Sequence, residues 1–105
     1  SFASASLSEI ITPSDYVLND NYPNPFNPIT RFSYSLPKKT DVKITIHDIN
    51  GRIVRTLLNE TQDVGNKLIT WNARNETGVL VATGIYFYKI VAGDFRQTKK
   101  MVLIK

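Results

Sequence analysis

The sequence predicts an all-β fold, an immunoglobulin-like antiparallel β-sandwich of about seven strands. Three observations predict it. From Thr30 onward, run after run alternates apolar and polar residues with period two. Clusters of Gly, Pro, Asn and Asp interrupt these runs at a spacing of ~8–12 residues, the rhythm of short strands joined by tight turns. No stretch carries a helical period long enough to compete. The 105 residues match one domain and one modest core.

Residues 1–17 are rich in Ser, Ala and Thr and lack a clear period. Ser6 and Glu9 have capping-box spacing, but Pro13 limits any helix to a single turn. These residues are expected to be a linker or the end of a preceding region, with residues 18–105 as the folded domain. Tyr16 and Leu18 are the first candidates to touch the core. Tyr22-Pro23-Asn24-Pro25-Phe26-Asn27-Pro28 lacks an amide donor at every proline, so it cannot be a central strand. It is expected to form a polyproline-like strap that closes an open end or edge of the sandwich, with Tyr22 and Phe26 as aromatic pegs.

The first full strand places Thr30, Phe32, Tyr34 and Leu36 on one face. Pro37 to Thr40 breaks the run, and Val42, Ile44 and Ile46 then alternate with Lys43, Thr45 and His47. Asp48-Ile49-Asn50-Gly51 is a turn in which Gly51 supplies positive φ. Arg52 to Leu58 resumes as a strand, and the polar residues 59–65 are expected to form a loop. Lys67 to Trp71 is the next strand, Asn72 to Gly78 a polar loop, and Val79 to Thr83 a short extended piece ending at Gly84. Ile85 to Val91 is the strongest strand. Tyr86, Tyr88 and Ile90 share one face and Ile85, Phe87 and Val91 the other, so the strand is expected to be central and covered on both sides. Ala92-Gly93-Asp94 turns into the last strand, Phe95 to Ile104.

Composition excludes several classes of function. Hydrophobic content of 42% and charged content of 21% suit a globular domain rather than a disordered chain. The absence of cysteine removes disulfides, thiolate zinc sites and thiol nucleophiles. No apolar run approaches the ~20 residues of a membrane-spanning helix, so no transmembrane segment is expected. The chain has no start Met and no basic-then-apolar leader, as expected of a fragment or mature product of a longer precursor.

The net charge of +4 is unevenly placed. Lys89, Arg96, Lys99, Lys100 and Lys105 stand against Asp94 alone in the last two strands, while charges balance before them. A basic patch is the generic mark of nucleic-acid binding, but lysines along an edge strand also block aggregation. No nucleic acid is expected as a partner.

Little in the chain suggests catalysis. His47, the one histidine, lies on the polar face of its strand, and no nucleophile-elbow pattern accompanies it. The carboxylates Asp41, Asp48, Glu60, Asp63, Glu76 and Asp94 are scattered, whereas glycoside hydrolysis needs two about 5–9 Å apart in a cleft. No enzyme activity and no cofactor are expected. Calcium is the one metal worth weighing, because Asp48–Gly51 and Asn72–Gly78 are rich in oxygen ligands. The same residues serve turns by bonding local backbone. Trp71, Tyr86, Phe87, Tyr88 and Phe95 could stack on sugars, although aromatics in a sandwich are more often core.

Five segments, in order, resemble the C-terminal sorting domain of the type IX (Por) secretion system. Leu18 to Pro28 resembles the opening motif of that family. Asp48-Ile49-Asn50-Gly51-Arg52 resembles its strand-turn-strand motif, with His47 where an aromatic is usual. Trp71-Asn72-Ala73-Arg74-Asn75-Glu76-Thr77-Gly78 resembles its Trp-Asp-Gly loop, with Asn72 for Asp and Ala73 for Gly. Gly84-Ile85-Tyr86-Phe87-Tyr88-Lys89 and Lys99-Lys100-Met101-Val102-Leu103-Ile104-Lys105 resemble its last two strands. A similar domain occurs in flagellar hook-capping proteins.

The resemblance implies a non-catalytic, monomeric address label joined covalently to a cargo on its N-terminal side. Such a label folds in the periplasm, is read by an outer-membrane translocon and carries its cargo to the cell surface or medium. A sortase-like peptidase can then remove it. Lys99, Lys100, Met101, Val102, Leu103, Ile104 and Lys105 are the expected recognition segment, because the end of a preformed strand can pair with a partner strand. Tyr22 to Pro28, Gly51, Trp71, Gly78, Gly84, Tyr86 and Tyr88 are expected to be structural. The alternative function is an accessory β-sandwich that braces a neighbouring catalytic domain or binds carbohydrate.

Overall fold

A computed structural model describes residues 13–105. Seven strands form two antiparallel sheets, as an immunoglobulin-like sandwich requires. They are β1 (Val17–Leu18), β2 (Thr30–Leu36), β3 (Thr40–His47), β4 (Ile53–Gln62), β5 (Gly65–Trp71), β6 (Gly84–Ala92) and β7 (Phe95–Leu103). One sheet has the order β1-β2-β5 and the other β4-β3-β6-β7. The linker expected at residues 1–17, with its capping-box pair Ser6 and Glu9, lies mostly outside the described residues.

The core sits where the period-two pattern puts it. Phe32, Tyr34 and Leu36 of β2 face Val42, Ile44 and Ile46 of β3 and Tyr86, Tyr88 and Ile90 of β6, all buried. Phe32 stacks on Tyr88 with ring centroids 4.2 Å apart and planes 28° from parallel, a close aromatic contact across the two sheets. Leu18 is buried and Tyr16 partly so; Tyr16 stacks on Phe95 at 5.3 Å. Gly51 takes φ +82° in the turn between β3 and β4, a conformation that costs glycine nothing.

Four local expectations are corrected. Residues 59–62 are not loop: β4 continues to Gln62, pairing Lys43 with Asn59 and Thr40 with Gln62. β4 is an edge strand, so backbone pairing holds it without an apolar face on both sides. Register shifts opposite Ile44–Thr45 and Ile46–His47 mark bulges, which twist the edge away from further pairing. Val79 to Thr83 makes one antiparallel bridge, Leu80 with Arg74, and leaves Val79 and Leu80 exposed.

Tyr22 is not a peg. It is exposed, while its neighbour Asn21 is buried and takes the inward position. Asn21 Nδ2 donates to Thr30 Oγ1 at 3.0 Å, and Thr30 Oγ1 donates to the carbonyl of Pro23 at 2.8 Å. These bonds bend the strap at Pro23–Pro25, so it does not run as extended polyproline; its three prolyl bonds are cis. Finally, β6 is central but covered on one face only. Its other face leaves Ile85 exposed and Phe87 and Val91 half-buried.

Candidate functional site

β7 ends one edge of the four-stranded sheet, paired with β6 from Ala92–Phe95 to Gly84–Leu103. Met101 and Leu103 turn inward and are buried. Lys100 and Lys105 are exposed, Ile104 is exposed and Val102 half-buried. Lys99 is half-buried and reaches Asp20 Oδ1 at 3.0 Å. The seven expected recognition residues therefore divide: Met101 and Leu103 anchor the strand, Lys99 ties it to the strap, and the rest face out.

The strap fills part of the same edge. It leaves β2 after Tyr22, whose backbone pairs with Arg31, and crosses to the other sheet. Phe26 N–H donates to the carbonyl of Val102, and Ile104 N–H donates to the carbonyl of Phe26, both at 2.9 Å. Val102 N–H donates to Asn24 Oδ1 at 3.0 Å. The Phe26 ring, buried, tilts against Trp71 at 5.9 Å, and Trp71 meets Tyr86 edge-on at 5.5 Å. The strap thus closes an edge and an end together.

Backbone direction alternates along a strand. Val102 points both its N–H and C=O outward, so Lys100, Thr98 and Arg96 do the same. No backbone partner meets them among the described residues. The open stretch of edge is therefore Arg96–Lys100, upstream of the residues at which the strap is paired. Sequence reasoning missed Arg96 and Thr98 as edge residues and Asn24 as the cap. The alternation of β7 carried the first signal; nothing local carries the second, since Asn24 and Val102 lie 78 positions apart.

The loop Asn72–Gly78 is organised around Asn75. Its Oδ1 accepts from Thr77 N–H at 3.0 Å, Thr77 Oγ1 at 2.8 Å and Val79 N–H at 3.0 Å. Trp71 Nε1–H donates to the carbonyl of Arg74 at 2.9 Å. Ala73 is fully buried with φ +62°, the left-handed conformation that explains why glycine is usual there. In the other loop, Asp48 Oδ1 accepts from Asn50 N–H at 2.9 Å and Arg52 N–H at 3.0 Å. The Arg52 amide first, and also the Asn50 amide and the Arg52 charge, hold the Asp48 carboxyl below the usual range. Asp48 Oδ1 and Asn75 Oδ1, two of the oxygens considered for calcium, thus bond local backbone. Among the described residues no three His, Cys, Asp or Glu gather as a metal site.

His47 lies beside Thr45 and the turn. Nδ1 lies 3.2 Å from the carbonyl of Gly51, and Nε2 lies 2.8 Å from Thr45 Oγ1. Trp71, Tyr86 and Tyr88 are buried and Phe95 stacks on Tyr16, which leaves Phe87 as the one aromatic of that group on an outer sheet face.

A family described as the secretion system C-terminal sorting domain matches residues 20–105. Three solved structures share the fold. PorU of Porphyromonas gingivalis, described as a dimeric latent form, is 24% identical with a TM-score of 0.66 over 86% of this chain and 9% of that one. PorZ of the same bacterium, described as an essential surface component of the type IX secretion system, is 21% identical with a TM-score of 0.56, over 97% of this chain and 13% of that one. The alkylpurine DNA glycosylase AlkC of Pseudomonas fluorescens is 16% identical with a TM-score of 0.53, over 86% and 30%. The chain thus spans a small fraction of each. Among curated proteins there is no match.

Proposed function

Since the chain belongs to the family of secretion system C-terminal sorting domains, we propose that it is the type IX address of an exported cargo, read along β7 by an outer-membrane translocon. The family is non-catalytic, and the domain does no chemistry of its own. Its cargo is joined on the N-terminal side, passes through the periplasm and reaches the surface or the medium, where a sortase-like peptidase removes the label.

The observation that carries this reading is the open edge of β7. Unpaired N–H and C=O groups at Arg96, Thr98 and Lys100 form a template for an added strand. The segment Lys99–Lys105 continues it, and its cations favour an acidic groove and speed encounter. Met101 and Leu103 hold the segment rigid, which lowers the ordering cost of binding. Docking at Val102 and Ile104 themselves requires the strap to release them.

Removing Lys99–Lys105 is a poor test, because it also removes Met101 and Leu103 from the core. Thr98→Pro is a better one. It deletes one outward N–H and no ladder bond, a substitution that edge strands tolerate. The domain is fused behind a periplasm-directed fluorescent reporter in a bacterium with type IX secretion. Wild-type fusion is expected at the surface, with Thr98→Pro folded but held in the periplasm. Surface display of Thr98→Pro at the wild-type level overturns strand addition at this edge. Retention of the wild-type fusion overturns the sorting reading.

A further inference from the structure

The outer face of the β4-β3-β6-β7 sheet combines two properties that sheet faces rarely share. It carries Ile85, Phe87 and Val91 along β6, interrupted by Lys89, with Lys43 on one flank and Arg96 and Lys100 on the other. In one cross-strand row, Lys43 and Arg96 stand on either side of Val91. In the next, Lys89 lies between Thr45 and Thr98; in the third, Phe87 lies between His47 and Lys100. Ile85, paired with Val102, extends the apolar line. Two shallow concavities indent the face, one beside Phe87 and Lys89, the other beside Val91 and Arg96.

Among the described residues none of these four cations forms an ion pair. The ion pairs among the described residues are Arg52–Asp48 and Lys99–Asp20. No Asp or Glu occurs in the three rows, and Asp48, which lines the concavity beside Phe87, is paired with Arg52. Asp41 and Asp94, the carboxylates at the Lys43 end, form no ion pair with the face, and Asp41 instead accepts from Thr61 Oγ1.

We propose that this face is a docking surface for an acidic protein of the export machinery, separate from strand addition at the β7 edge. The inference rests on the sorting reading and extends it to β3 and β6. Charge complementarity selects the occupant. A second copy would set four cations against four, and residues 1–12 supply one carboxylate, Glu9. A hydrophilic polyanion would satisfy the lysines but gain nothing from Ile85, Val91 and Val102. An acidic protein surface with an apolar centre satisfies both. Burial of the apolar line provides affinity, and the flanking cations fix orientation and raise the association rate.

The test uses the same reporter fusion with a photo-crosslinking phenylalanine derivative at position 87, or at the exposed Leu68 of the other sheet as control. The expected result is a protein adduct from position 87 and not from 68. The adduct partner is acidic, and Lys43→Glu/Arg96→Glu abolishes it and lowers surface display at least tenfold without lowering the melting temperature. Should the reversed pair melt early, Lys43→Gln/Arg96→Gln carries the same comparison. An adduct to a second copy or to glycan, or undiminished display of the charge variant beside an exported wild type, overturns the proposal. A wild-type fusion that stays in the periplasm removes the sorting reading on which it rests.

Discussion

Tyr88, at the centre of β6, donates its phenolic proton to the carbonyl of Asn19, 2.8 Å away and 69 positions earlier in the chain. The bond ties the entry of the strap to the middle of the opposite sheet. It also makes the fold sensitive to alkali. Burial first, and the nearby Asp20 charge second, push the Tyr88 hydroxyl up to about 12. Burial likewise raises Tyr34 and Tyr86.

A raised folded-state pKa favours the neutral phenol in the native state. Stability is then fully present below about pH 10, the value for unfolded tyrosine, and declines as pH rises toward 12. Melting temperature measured from pH 8 to 12 is expected to fall in that window. Tyr88→Phe is expected to be less stable at pH 8 and to show a shallower alkaline decline. An unchanged slope in Tyr88→Phe assigns the decline to other groups.

Phe26→Ala is expected to cost about 3–5 kcal/mol, the range for large-to-small changes in a core. It also loosens the strap from β7, so the amides of Val102 and Ile104 are expected to exchange with deuterium faster than that of Met101, which β6 still protects. Equal protection of all three would show that the strap does not depend on its aromatic anchor.

Trp71→Ala is expected to cost about 3–5 kcal/mol in urea denaturation. It empties the site between Phe26 and Tyr86 and removes the indole donor to the carbonyl of Arg74. A loss below about 1 kcal/mol, on the scale of surface substitutions, contradicts its burial.

Ala73→Gly is expected to stabilise. The left-handed backbone costs a residue with a Cβ about 1–2 kcal/mol, offset in part by the greater freedom of glycine when unfolded. A net gain of about 0.5–1 kcal/mol is expected from the denaturation midpoint. A net loss would show that packing of the buried methyl outweighs the backbone term.

Alternation made most of the sheet legible, because β2, β3 and β6 each bury one face and the side-chain period of a strand is two. It failed where pairing, not burial, holds the chain. Residues 59–62 are polar and read as loop, yet their backbone completes β4 beside Thr40–Lys43. Tyr22 reads as a peg because it is aromatic, but the register set by Asn21 and Thr30 turns it out. Phe87 and Val91 read as covered because an apolar pattern reports what a surface can bury and not what lies against it. The recognition segment was legible as a strand. Which of its backbone groups are taken depends on Asn24 and Phe26, and no local pattern reveals contacts made across almost the whole domain.

The pairing of the strap with β7 also sets an order on completion of the fold. During synthesis Phe26 emerges long before Val102, and until β7 arrives its amide and carbonyl have no strand to bond. Contacts of such long sequence separation form late. A chain broken off anywhere ahead of Val102 would leave the pocket at Trp71 open and the strap unfastened. Closure of the sandwich is thereby a proof of length: the clasp at the start of the domain fits only a chain that has been read through to β7.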